Sequence, residues 1–457
     1  MLKKIFCAAI SAAVVFSTVS CEGFFSFLST EEHFRPYDKK YTLNELSVIQ
    51  SASFKKLNDV TYPATREIYE ISDDFRAAVN NFAYRIYVSA DKSKENFSFS
   101  PMGLYDNLSL LALASSDPTA LAALDSVLGM TKETRKEDFV KAYKTDFYVA
   151  EKGTTQLYNA AFLTNEYEAN PDFVAALTEH MAEAYSLNFQ SDEDVSKMLK
   201  WADDKIKEKS FLKKSDLEIT KDSAMFVFSA LYFDNKWVNV FDAKHNKDDT
   251  FYAKSAETKA TFMRHTYPGD CDDYGDYVAC YDYYHNGMKV KYVVPKEKGG
   301  DIFALTDGVN FLKDDESKKI LAPLIDEEHP EYGRLSLIIN LTLPKFKSEY
   351  MTDFSPVLKD VGLGYLFEKD SGSFNYAFKD LPANVSMHLT FTKQKNKISF
   401  NEEGTVIKSV TVSEIGKMMS PGVMKTVDVT LDRPFIYVVY DPNGLPLYVG
   451  NLNVPRN

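Results

Sequence analysis

Apolar residues recur with a helical period through the first half of the chain and with strand patterns through the second. Phe75, Val79, Phe82, Ala83 and Ile86 share one face of a helix that begins behind Ser72-Asp73-Asp74, a capping hydroxyl followed by acidic residues. Residues 96–100 alternate as a short strand, and Pro101 opens an apolar helix through Leu104, Leu108 and Leu111. Asp117-Pro118 starts another helix that ends near Gly129. Residues 155–164 read as a strand, 171–184 as a helix and 192–209 as an amphipathic helix. The pattern then changes. Residues 225–233 form a nearly continuous apolar run, as expected of a strand buried on both faces. Further strands are predicted at 258–263, 276–284, 288–294 and 335–343, with helical regions at 303–325 and near 354–361. At the C-terminus, strands 434–440 and 447–451 are joined by Asp441-Pro442-Asn443-Gly444, a hairpin signal. Helices early and antiparallel strands late predict an α+β fold. With no repeat and no clean linker after residue 70, one large domain over 71–457 is expected.

Charge narrows the partners. The formal net charge is −13, which disfavours a phosphate backbone, so no nucleic-acid partner is expected. At the N-terminus, Lys3 and Lys4 precede an apolar stretch over residues 5–16, then Ser17-Thr18-Val19-Ser20-Cys21. That stretch is too short to span a bilayer and reads as a cleaved signal peptide, residues 1–20. A small residue directly before Cys21 resembles a bacterial lipobox, whose cysteine is diacylated and becomes the new N-terminus; the alternative is an ordinary signal cut nearby. Several acyl chains anchor firmly where one is marginal. Residues 21–70, of mixed polar and aromatic composition, then form a lipidated tether. The expected location is the bacterial outer membrane, on its periplasmic or surface face. Cys271 and Cys280 remain after export. Two cysteines without a histidine at ligand spacing build no metal site. Export permits a disulfide between them, and strand register decides whether it forms.

Catalytic signatures are missing. The sequence has no Gly-rich phosphate loop, no zinc-protease helix motif and no Gly-x-Ser-x-Gly elbow. The seven histidines are scattered, and acidic pairs such as Asp272-Asp273 and Glu327-Glu328 suit a solvated surface. No nucleophile and base can be nominated, so neither an enzyme nor a cofactor is expected.

Several segments, in order, resemble the serpin family. Phe99-Ser100-Pro101 before an apolar helix is similar to the family's short strand entering its buried second helix. Ala230-Leu231-Tyr232-Phe233 with Lys236-Trp237 and Phe241 resembles its aromatic strand preceding a characteristic tryptophan. Leu343-Pro344-Lys345-Phe346, Leu358-Lys359-Asp360-Val361-Gly362 and Leu366-Phe367 resemble further signatures. Asn401-Glu402-Glu403-Gly404-Thr405 resembles the hinge of the reactive loop, and Asp432-Arg433-Pro434-Phe435 with Tyr448-Val449-Gly450 the closing hairpin. The resemblance spans roughly residues 72–457. It implies a fold of three β-sheets with eight or nine helices and a reactive-centre loop at about 402–431. It also implies a serine protease inhibitor acting as a suicide substrate. The loop is cleaved, an acyl-enzyme forms, and the loop inserts as a new strand in the central sheet.

Insertion demands alternation, because every second side chain must enter the sheet. From the hinge residues Glu403 and Gly404 onward, the inward set is Thr405, Ile407, Ser409 and Thr411, none charged; Val406, Lys408 and Val410 face outward. Inhibitory members usually carry small residues here, mostly alanine, whereas this chain has Val-Ile-Lys-Ser-Val, a departure that slows insertion. The family's spacing places the scissile residue at Met418, with Met419 as the next bond. Either suits an elastase- or chymotrypsin-like serine protease, and Lys417 a trypsin-like one; a cysteine protease is a further target class. Where the family commonly has serine, asparagine and histidine controlling sheet opening, this chain has Gly103, Ser229 and Gln394. Ser229 and Gln394 are able to hydrogen-bond to each other, but the family's usual network cannot form; Trp237 is retained where insertion begins. The expected partner is therefore a protease met by a monomeric, membrane-tethered inhibitor. The alternative is a non-inhibitory serpin-fold binding protein or substrate-like decoy. A hydrolytic lipoprotein is a third reading, with no residues to nominate.

Overall fold

The computed structural model describes residues 53–64, 67–90, 96–254, 256–269, 271–273, 275–300, 302, 337–405 and 425–455. The body starts at Phe54. Its described residues form three sheets and seven α-helices: α1 (Asp73–Ser89), α2 (Pro101–Leu113), α3 (Pro118–Leu128), α4 (Lys132–Thr145), α5 (Pro171–Glu179), α6 (Asp192–Ile206) and the single turn α7 (Ser355–Leu358). The expected starts are capped by side chains: Ser72 Oγ accepts from Phe75 N at 3.1 Å, Ser100 Oγ from Gly103 N at 3.1 Å and Asp117 Oδ1 from Ala120 N at 2.7 Å. Gly129 closes α3 at φ 77°, a left-handed cap that suits glycine. The expected helical region 303–325 lies outside the described residues.

The central sheet holds β1 (Lys55–Lys56), β3 (Tyr148–Ala150), β4 (Gly153–Thr164), β5 (Ala182–Leu187), β6 (Met225–Lys236), β13 (Phe346–Asp353), β14 (Lys393–Phe400) and β15 (Gly404–Thr405). Its order is β1-β5-β4-β6-β15-β14-β13, with β3 on β4. A second sheet runs β2-β18-β17-β11-β10-β9, built from β2 (Phe97–Phe99), β9 (Cys271–Asp273), β10 (Tyr277–Tyr283), β11 (Lys289–Pro295), β17 (Phe435–Tyr440) and β18 (Pro446–Leu452). The third, β16-β12-β8-β7, uses β7 (Lys247–Tyr252), β8 (Glu257–Gly269), β12 (Leu337–Pro344) and β16 (Lys425–Thr430).

The main core lies behind the central sheet, where α2 is buried on nearly every side. On the front face, α6 sets Val195, Met198 and Trp201 against Ala160 and Phe162, with Phe226 and Phe228 beside them. Three expectations change. The helix predicted over 171–184 stops at Glu179; Met181 turns at φ 59°, and Ala182–Leu187 is a strand whose small apolar residues mimic a continuing helix. The lysine- and glutamate-rich α4 was not predicted, since few of its residues bury apolar side chains. And β6 is not buried on both faces: nearly all its residues are only partly buried, and among the described residues one edge has no neighbour over most of its length.

Cys271 and Cys280 stand directly opposite each other on β9 and β10, both buried, and both are thiols. Burial pushes the Cys280 thiol well above its ordinary pKa.

Candidate functional site

Among the described residues, a gap one strand wide runs down the central sheet. Gly404 pairs with Lys236 and Thr405 with Asn235 on one side, and Thr405 with Phe400 on the other. Below that short plug, nothing among the described residues pairs with the facing edges of β6 or β14. The resulting groove has a volume of about 1220 Å³, lined by both strands and floored by Gly103, Leu104 and Asn107 of α2. Among the described residues the facing edges of β6 and β14 have no strand partner over this stretch, Val227 O instead accepting from Asn107 Nδ2 at 2.8 Å, and such edges make a template for one added strand.

The hinge is seated by several contacts. Asn401 Oδ1 accepts from Glu403 N at 3.0 Å and Gly404 N at 3.2 Å, a side-chain turn that starts β15. A Cβ on Gly404 would lie 2.2 Å from the Asn235 carbonyl oxygen and 2.8 Å from Lys236 Cα, so only glycine fits there. Trp237, fully buried, donates through Nε1 to Asn401 O at 2.9 Å and through its backbone N to Glu403 O at 3.0 Å. Its ring stacks on Tyr284 with centroids 4.3 Å apart, and Tyr284 Oη lies 2.7 Å from Thr405 Oγ1. Glu402 accepts from Lys345 Nζ at 2.8 Å and Asn246 Nδ2 at 2.6 Å. Partial burial alone would raise the Glu402 carboxyl, but those donors hold it below the usual carboxylate range.

Lower in the gap, the hydrogen bond open to Ser229 and Gln394 is not formed. Gln394 turns toward α2 instead. Its Oε1 accepts from Ser100 N at 2.7 Å, and its Nε2 donates to Ser100 O at 3.0 Å. Gly103 lies against this pair: a Cβ there would sit 3.2 Å from Ser100 Oγ and 3.4 Å from Gln394 Nε2. Ser229 Oγ is buried without a partner. Beside it in register stands Asn159 of β4, whose Nδ2 donates to Asp106 Oδ2 at 3.1 Å. Burial pushes the Asp106 carboxyl up to about 7.

The structure thus brings Glu403, Gly404, Thr405 and Trp237 together at the top of the gap, and Gly103, Ser229 and Gln394 around its middle. Ile407, Ser409, Thr411, Lys417, Met418, Met419 and Cys21 lie outside the described residues. Tyr284 and Asp106 were not anticipated, nor was the Glu402–Lys345 pair; Asn401 was read as part of the hinge motif, without its role in seating the turn. Lys345 and Glu402 each lie in a recognised motif, but partners 57 positions apart leave no sequence signal of their contact.

A model of the family described as serpin (serine protease inhibitor) matches residues 77–455. Alpha-1-antiproteinase of Ovis aries is 23% identical over 389 residues, covering 82% of this chain and 86% of that protein. Among solved structures, the thermophilic serpin tengpin in its native state superposes with TM-score 0.70 at 20% identity, covering 88% of this chain and 100% of that one. Thyroxine-binding globulin in complex with thyroxine superposes with TM-score 0.66 at 16% identity, covering 83% and 99%. With three sheets, a hinge seated at the head of the central one and a family match over most of its length, the chain belongs to the serpin family.

Proposed function

We propose that the protein inhibits serine proteases as a suicide substrate, its cleaved loop filling the gap between β6 and β14. The gap carries the proposal, because the hinge already occupies its top in the register an inserted strand would continue. Extending both registers sets Ile407 between Phe233 and Ile398, Ser409 between Leu231 and Asn396, and Thr411 between Ser229 and Gln394. Thr411 would then offer a hydroxyl to the unpartnered Ser229 Oγ. The same count carries Met418 past the end of β6, so an acylated protease would arrive at the far pole of the sheet.

The energetics suffice. About ten new backbone hydrogen bonds at ~1 kcal/mol net each, with buried side chains adding ~1.5–3 kcal/mol apiece, rival the stability of a whole domain. Cys21 would anchor the protein by lipid to the cell envelope, where it would meet proteases from outside.

A second reading is a non-inhibitory binding protein, and one feature favours it. In the extended register Lys408 falls between Tyr232 and Lys397, where Lys207 already sits 4.0 Å over the Tyr232 ring and Lys397 pairs with Glu208. A third cation there slows insertion. One experiment separates the readings: incubation with elastase, chymotrypsin and trypsin, followed by denaturing electrophoresis. A denaturant-stable complex supports inhibition. Cleavage without complex, and without a gain in thermal stability, would sink it.

A further inference from the structure

Residues 54–62 precede the span matched by the family model and form a strap along the free edge of the central sheet. Its pairing is antiparallel to β5, Lys55 with Ser186 and Lys56 with Tyr185. Leu57 N continues the ladder to Ala184 O at 2.7 Å. Asn58 then substitutes its side-chain amide for backbone. Its Oδ1 accepts from Ala184 N at 2.7 Å, while its Nδ2 donates to Ala182 O at 2.9 Å and Thr178 Oγ1 at 2.8 Å. Phe54 packs on Tyr185 at 5.3 Å. Tyr62 stacks on Phe147 at 4.8 Å and meets Tyr158 edge-on at 5.3 Å. Lys205 of α6 closes the node, its Nζ 4.4 Å from the Tyr158 ring and 5.2 Å from the Tyr62 ring.

Register fixes which end of the sheet the strap starts from. The hinge sits at Asn235, opposite Gly153 of β4. Ser186, which receives Lys55, is level with Leu163, and Leu163 with Met225 at the other end of β6. Ten residue steps separate Asn235 from Met225, about 33 Å at a strand's rise. The N-terminal segment therefore joins the body at the pole opposite the hinge.

We propose that the strap fixes the origin of the N-terminal tether at the pole to which a trapped protease is carried, so that trapping delivers the protease to the tether side of the molecule. This rests on the inhibitor reading above.

Energy transfer tests this without a membrane. Ser53 is replaced by p-azidophenylalanine and labelled with a donor dye, and the protease carries an acceptor. Transfer is compared between the complex with a protease lacking its catalytic serine, which only docks, and the covalent complex with the active enzyme. Transfer efficiency should at least double in the covalent complex, and Asn58→Ala with Tyr62→Ala, which unclips the strap, should shrink that gain. A stable covalent complex with unchanged or lower transfer overturns the strap proposal alone. Failure to form any stable complex overturns the inhibitor reading, and this inference with it.

Discussion

Asp106 is a carboxyl on α2, 1% exposed, beneath the centre of the split sheet. Its Oδ2 accepts from Asn159, while Oδ1 has no partner; Tyr143 of α4 and Ser229 of β6 also leave buried hydroxyls unpartnered nearby. Burial raises its pKa from 3.8 to about 7. The folded state therefore holds this proton more tightly than the unfolded chain, so stability falls as pH rises from about 4 to about 7. Three units at ~1.36 kcal/mol each make the full loss about 4 kcal/mol. Asp106→Asn removes the charge and keeps the shape. Its stability advantage over the wild type should grow by about 3 kcal/mol between pH 5 and pH 8, since two of those units lie above pH 5. Asp441, also raised to about 7 by burial, is present in both proteins and cancels. Urea unfolding of both proteins at the two pH values measures the difference, and a constant offset between them independent of pH would mean that the buried Asp106 proton is not held in the folded state.

Gly404→Ala should unseat the hinge, because its Cβ meets backbone at 2.2 Å; the protease should then cut the loop as a substrate, read as a rise in the number of inhibitor molecules consumed per enzyme inactivated. Glu402→Gln should cost about 1 kcal/mol at neutral pH by loosening the partly exposed pair with Lys345. That cost should vanish as pH falls through the depressed folded pKa, checked by melting temperature against pH. Ser229→Ala should leave the uncut protein as stable or about 1 kcal/mol more stable, since it deletes a buried hydroxyl without a partner, measured by the same unfolding assay.

Much of the scaffold was legible in the sequence because it depends on local chemistry. Ser72, Ser100 and Asp117 cap helices where their spacing predicted, and the turn 441–444 joins β17 to β18. Strands β13 and β14 were not predicted. On β14, Lys393, Lys395 and Lys397 alternate with Gln394 and Asn396, so both faces read as polar until Ile398. The long lysines lie along the front surface, with Lys395 Nζ 5.4 Å from the Phe211 ring, a packing that hydrophobicity does not register. The strap was hidden for another reason. It has only two ladder positions, and Asn58 completes the rest through its side chain, which leaves no period of two. The gap has no sequence signature, since it is an absence of pairing, among the described residues, between strands some 160 positions apart.

Inhibition by insertion requires β6 and β14 to receive the chain's own cleaved loop as a strand. Amide hydrogen exchange across Met225–Lys236 and Lys393–Phe400, before and after a single cut in the loop, reads that out. Amides facing the gap should become strongly protected after cleavage, together with a rise in melting temperature. Unchanged exchange along both strands, with the cut loop still open to further proteolysis, would contradict it.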